Sequence, residues 1–331
     1  MLFPTFTFAV FFAVVLPLSW AVRARPTLWK CVVLTASYVF YGHWDWRFLG
    51  LLAAMTVVNE VAAVAIHRSS GRQRGRLTAN AVGFDLGVLA LFKYFGFFVA
   101  SLEDAFGLQG PALDIVLPVG VSFFTFQAIS YVVDVARGHT APVPLLDFAV
   151  YLSFFPQLVA GPIVRATEFL PELRSERVPD RIEMTQAVTL IGRGLCKKVV
   201  VADFLGRAIV RDGLGTPGEF GALDVLFAIY GYAIQLYADF SGYTDMAIGI
   251  AMLLGFRFPQ NFDRPYAAVS VQDFWRRWHI TLSRWLRDYL YVPLGGNRGG
   301  RLATYRNLLL TMTLGGLWHG AAWAFVIWGL Y

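Results

Sequence analysis

Two histidines stand where an ionisable group is costly to keep. His319 lies in LGGLWHGAAW at 314–323, within 308–331, a run of 24 residues that holds no Asp, Glu, Lys or Arg. His279 lies in FWRRWHITLSRWLRDYL at 274–290, beside tryptophans. An imidazole held away from water stays neutral, because desolvation penalises its charged form. A neutral imidazole can take a proton from a hydroxyl and return it to a leaving group. Gly315, Gly316 and Gly320 leave dents where another helix or a substrate can approach the backbone, and Trp318 and Trp323 add bulk. The competing reading of His319 is a hydrogen-bonded histidine that ties helices together.

Other polar residues interrupt apolar sequence. In YAIQLYADFSGYTDMAIGIAMLLGF at 232–256, Gln235 and Asp239 are four apart and share a helix face. Ser241 and Gly242 separate Asp239 from Asp245, which fits a broken helix whose carboxylates face a cavity or cap the two halves. In 261–300, Trp275, Trp278, His279, Leu282, Trp285 and Leu286 recur at helical spacing and form one stripe. That pattern is an interfacial amphipathic helix with arginines towards anionic lipid, although it leaves His279 on the apolar stripe unexplained. Arg276, Arg277 and Arg284 could equally hold the phosphates of a nucleotide-bearing donor, since guanidinium forks suit phosphate. His43 beside Trp44 and Trp46 reads as an interface anchor, and His67 and His139 as solvated. There is no HExxH or comparable metal-ligand spacing, no GxSxG elbow and no glycine-rich phosphate loop. Cys31 and Cys196 give no CxxC pair.

The elements that position these groups are apolar spans. Of 331 residues, 57% are hydrophobic and 15% charged, against about 25% charged in an ordinary soluble domain. The composition is that of an all-α, polytopic membrane protein. A spanning helix needs about 20 mostly apolar residues. Candidates are 1–22, 30–43, 48–67, 78–100, 115–135, 186–210, 222–240 and 307–331. The first span has no basic residue before it, so it reads as a retained helix that starts outside rather than a cleaved leader. The stretch 146–164, with Pro156, Gly161 and Pro162, is expected to dip into the bilayer and return. HRSSGRQRGR at 67–76 carries four arginines and no acid, whereas SLEDAFGLQGPALD at 101–114 carries Glu103, Asp104 and Asp114 and no base. The first is therefore cytoplasmic and the second external, and the basic segments 165–181 and 276–306 are cytoplasmic too. The net charge of +6 lies in these short clusters rather than on one basic face, which argues against nucleic acid.

Several segments, in order along the chain, resemble the membrane-bound O-acyltransferase (MBOAT) family in its bacterial alginate O-acetylation branch. They are SYVFYGHWDWRFL (37–49), LPVGVSFFTFQAISYVVDVARG (117–138), SFFPQLVAGPIVRATEFLPEL (153–173), QLYADFSGYTDMAIGIAMLLGF (235–256), 261–300 and LWHGAAWAFVIWG (317–329). The resemblance implies a helical bundle with broken or re-entrant helices around a central tunnel, multi-pass in the bacterial cytoplasmic (inner) membrane. It implies an O-acetyltransferase that holds no cofactor and uses acetyl-CoA, or another cytoplasmic thioester, as co-substrate. The acyl group would pass outwards to an extracytoplasmic SGNH-like acetyltransferase partner and so to a cell-surface polysaccharide. His319 matches the family's catalytic histidine, acting as base or acyl relay, and His279 its second histidine. Arg276, Arg277 and Arg284, with Asp239 and Trp318, are the expected substrate contacts. One transmembrane domain over 1–331 is expected, without the further helices that follow LWHG in such proteins.

Two other functions fit parts of this pattern. The same scaffold could transfer D-alanyl from a carrier protein to a cell-wall polymer, and the two histidines would serve that reaction equally. A polysaccharide transporter would use broken helices and intramembrane Asp239 and Asp245, but it leaves the acyltransferase motifs without a purpose.

Overall fold

The computed structural model describes residues 1–107, 113, 115–175 and 180–331, and among these the regular structure is all helical, with no strand. Asp114 and residues 176–179 of the basic segment lie outside the described residues. Among the described residues, two helices are long and apolar enough to cross a bilayer: Phe48–Arg68, of 21 residues, and Gly71–Phe106, of 36. Phe6–Ala21 is apolar but shorter. Some helices start on a side-chain cap. Thr5 Oγ1 accepts from Phe8 N at 3.2 Å, and Asp180 and Glu183 form a reciprocal capping box before Arg181–Leu195.

Contacts gather the chain into two units, each assembled from separate segments. The first comprises Met1–Trp44, Phe154–Val164 and Phe169–Trp278. Its spine is the 32-residue helix Ala222–Leu253. The break expected at Ser241–Gly242 is absent: the helix runs straight through both residues. Gly242 serves a helix crossing instead. A Cβ there would lie 2.8 Å from Gly194 O, and one on Gly194 would lie 2.5 Å from Gly242 O, so only hydrogens allow this approach to Arg181–Leu195. Glycine's intrinsic cost in a helix, about 1 kcal/mol, is accepted for close packing. Asp245 is not free to face a cavity. It accepts hydrogen bonds from Arg193 Nε and Nη2 at 2.9 Å and from Lys197 Nζ at 2.8 Å. Asp239 pairs with Lys198 at 2.6 Å.

The second unit comprises Asp45–Ser153, Arg165–Glu168 and His279–Tyr331. The basic stretch at 67–76 is largely helical, since Gly71–Leu89 starts within it and continues through a π-helical turn, Ala90–Tyr94, into Phe95–Phe106. Buried polar pairs join the helices of this unit. Asn59 Nδ2 donates to Asp85 Oδ1 at 2.8 Å, and Tyr131 OH donates to Glu60 Oε2 at 2.7 Å. The expected interruption of 146–164 is present: Leu145–Ser153 stops, Phe155–Leu158 makes one turn, and most of the segment is buried. Buried irregular backbone of this kind is what a low-dielectric surrounding tolerates.

Candidate functional site

The tryptophan stripe does not make one helix. Val271–Arg277 ends, Trp278 is extended (φ −100°, ψ 128°), and His279 adopts the left-handed region (φ 43°, ψ 55°) before Ile280–Leu286 begins. The single amphipathic helix expected over Trp275 to Leu286 is thereby replaced by two short ones. A left-handed conformation is uncommon for a residue with a Cβ, although histidine, asparagine and aspartate reach it more readily than most, and it persists where packing compels it. His279 is 1% exposed. Its neighbour in space is the end of the helix Gly300–His319.

That helix also breaks an expected span. Instead of continuing to Tyr331 it stops at His319; Gly320 and Ala322 are extended, and a new helix runs Trp323–Leu330. The glycine dents are filled by protein. Side-chain atoms on Gly316 or Gly320 would strike Phe325, and Gly315 faces Leu286. His319 keeps exposed surface at the helix end, although the returning helix packs against the glycine side and sets Trp328 beside the imidazole.

The two imidazoles stand side by side, with ring centroids 6.4 Å apart and planes at 64°. Trp318 lies 6.0 Å from His279 and 5.1 Å from His319, and Trp328 meets His319 edge-on at 5.4 Å. An aromatic stack fixes the arrangement. Trp285 lies flat on Phe126 at 3.7 Å and donates its Nε1–H to Phe126 O at 3.0 Å, and Phe126 stacks on Trp318 at 5.3 Å. Burial first, and the neighbouring His319 second, push the His279 imidazole well below its ordinary value, so it is neutral at pH 7. The site thus offers one exposed imidazole backed by one buried neutral imidazole.

Beyond Ile280–Leu286 lies a charged network of the same unit. Arg284 pairs with Glu168 at 2.8 Å, and Arg165 with Asp288 at 2.7 Å. Tyr289 OH donates to Asp134 Oδ2 at 2.7 Å. Burial alone would raise the Asp288 carboxyl, but hydrogen bonds from Arg287 and Arg165 outweigh it and hold the group below the usual carboxylate range.

The structure therefore brings together His319, His279 and Trp318, with Arg284 in the same unit. Arg276, Arg277 and Asp239 belong to the other unit. Arg277 is held by Asp273 at 2.9 Å, and Arg276 is exposed. Lys93 and Tyr94, absent from the expected set, also reach the site: Lys93 Nζ donates to Trp318 O, and Tyr94 OH donates to Leu317 O at 3.0 Å. The signal for them was present, since Lys93 is the sole charged residue between Asp85 and Glu103.

Spanning-length apolar helices and the all-helical architecture are those of a helical membrane protein. The chain belongs to the membrane-bound O-acyltransferase family, whose model matches residues 125–331. It is 46% identical over 307 residues to a probable alginate O-acetylase of Azotobacter vinelandii, covering 91% of this chain and 61% of that protein. It is 38% identical to a peptidoglycan O-acetyltransferase of Helicobacter pylori, covering 92% and 62%. A teichoic acid D-alanyltransferase of Streptococcus thermophilus is 29% identical over 64% of this chain and 54% of its own length. The chain thus spans about three fifths of the first two relatives.

Proposed function

We propose that this protein is a multi-pass O-acyltransferase of the bacterial inner membrane. It moves an acetyl group from a cytoplasmic thioester, acetyl-CoA, towards a cell-surface polysaccharide. The observation that carries the reading is the pairing of exposed His319 with buried His279 at 6.4 Å in the segment the family model covers. His319 accepts the proton of an acceptor hydroxyl as the hydroxyl oxygen bonds to the thioester carbonyl carbon. The tetrahedral intermediate then expels the thiolate, which takes the proton back from the imidazolium, so charge and protons balance. Neutral His279 orients the pair and is the group that a histidine–aromatic wall would hold in place. Two reactants held in one protein-lined passage gain proximity worth several kcal/mol, and shielding the thioester from water limits its hydrolysis. An extracytoplasmic SGNH-like partner as immediate recipient fits an acceptor polymer that lies outside the membrane.

The relatives act on alginate, peptidoglycan and teichoic acid by name, and higher identity to the O-acetylating pair favours acetyl over D-alanyl. The test is ester-linked acetate on surface polysaccharide in a knockout strain complemented with wild type or His319→Ala. Loss of acetate with His319→Ala at equal membrane abundance supports the reading. Full acetylation by that variant would remove His319 from the chemistry.

A further inference from the structure

The helix Gly300–His319 ends without a glycine in the left-handed conformation, since Gly320 is extended (φ −165°, ψ 147°). The last four carbonyls of any helix lack partners within it and need them elsewhere. Two of these, on Leu317 and Trp318, are met by Tyr94 OH and Lys93 Nζ. Both donors come from the π-helical turn Ala90–Tyr94, which interrupts Gly71–Phe106 halfway along. Such turns are rare and recur at functional sites, because one extra residue re-aims the side chains around it. Here Lys93 and its neighbour Tyr94 reach successive carbonyls of one helix end, a placement that regular α-helical side chains one residue apart do not give.

Lys93 is anchored twice. Its ammonium also donates to Ser122 Oγ at 3.0 Å and lies 5.4 Å from the centre of the Trp318 ring. A lysine in an apolar run is expensive unless it does something specific. A cation at a helix C-terminus is favourable against the dipole, and this one sits on the carbonyl directly before His319. We propose that Lys93, with Tyr94, is a positioning residue of the acyltransfer reaction: it clamps the end of the Gly300–His319 helix and so sets where the His319 imidazole stands. The inference rests on the reading of His319 given above. Lys93 acts through His319 rather than on the substrate, because its hydrogen bonds go to Trp318 and Ser122.

The test uses inverted membrane vesicles from strains carrying substitutions in the native gene, with acetyl-CoA as donor and ester-linked acetate as readout. Lys93→Met is expected to lower kcat about tenfold to a hundredfold, the scale of a small misplacement of a reacting group, with the KM for acetyl-CoA unchanged and membrane abundance normal. Lys93→Arg, which keeps the cation and its donors, should recover most of the rate, and Tyr94→Phe should lose a few-fold. In a His319→Ala background Lys93→Met should cause no further loss, since the two act as one unit. A rate that falls only in proportion to abundance, a wild-type kcat for Lys93→Met, or a further drop on His319→Ala would each overturn the proposal. Full activity of His319→Ala alone would instead remove the functional reading beneath it, so the two failures are distinct.

Discussion

His279 shows how one backbone angle separates a sequence pattern from a site. Its left-handed conformation (φ 43°) is one of two such cases among the described non-glycine residues, the other being Arg264. It turns the chain so that an imidazole leaves the tryptophan stripe and meets His319. Strain of this kind costs on the order of 1–3 kcal/mol, and asparagine tolerates the left-handed region better than most residues. His279→Asn is therefore expected to keep membrane abundance and thermal stability in detergent while acetylation falls, whereas His279→Val should lose both. Equal stability of the two variants would show that the backbone is not strained as described. The two histidines were legible in the sequence as polar groups in apolar surroundings. The exposure of His319 was not legible, because it depends on where the following helix packs. Lys93 was visible as a lone charge, but its partner is more than two hundred residues away, and no local spacing reports that.

Helix boundaries were legible where a long apolar run fixed them, and misread where glycine or periodicity carried two meanings. Ser241–Gly242 looked like a break and is a crossing, because a missing Cβ permits close approach as readily as it weakens a helix. The stripe from Trp275 to Leu286 looked continuous because a short break can leave apolar residues in phase on both sides. The opposite error occurred at 307–331, where uniform apolarity concealed the stop at His319 and the turn through 320–322. The crossing makes a quantitative expectation possible. At Gly194 a methyl group would meet Gly242 O at 2.5 Å and Met246 N at 3.0 Å, backbone atoms that cannot rotate away. Gly194→Ala should therefore destabilise by about 1–3 kcal/mol, as overpacking does. Gly192→Ala, two residues earlier on the same helix with open space beside it, should be neutral or slightly stabilising. Thermal unfolding of the two variants in detergent decides this, and equal melting would mean that the helices do not cross at Gly194.

Across the whole chain, each unit draws on segments far apart in sequence, so no single cut releases either one intact. Composition alone indicated a membrane protein, but the number of spans could not be read from hydropathy. One apolar stretch forms a long helix at 71–106, whereas another is split into two shorter helices after 300. Orientation rests on charge. Arg68, Arg72, Arg74 and Arg76 crowd one end of the two spanning-length helices, while Glu103 and Asp104 lie near the far end of the second. Cationic flanks stay on the cytoplasmic side, so Ser70 is expected inside and Glu103 outside. An impermeant maleimide can read this directly once Cys31 and Cys196, both exposed, are replaced by serine. In that background Ser70→Cys should label in inverted vesicles and not in intact cells, and Glu103→Cys should label in the reverse order. Labelling of Ser70→Cys from outside would invert the chain, and with it the route proposed for the acyl group: a cytoplasmic thioester would then have to meet His319 from the opposite end of the protein.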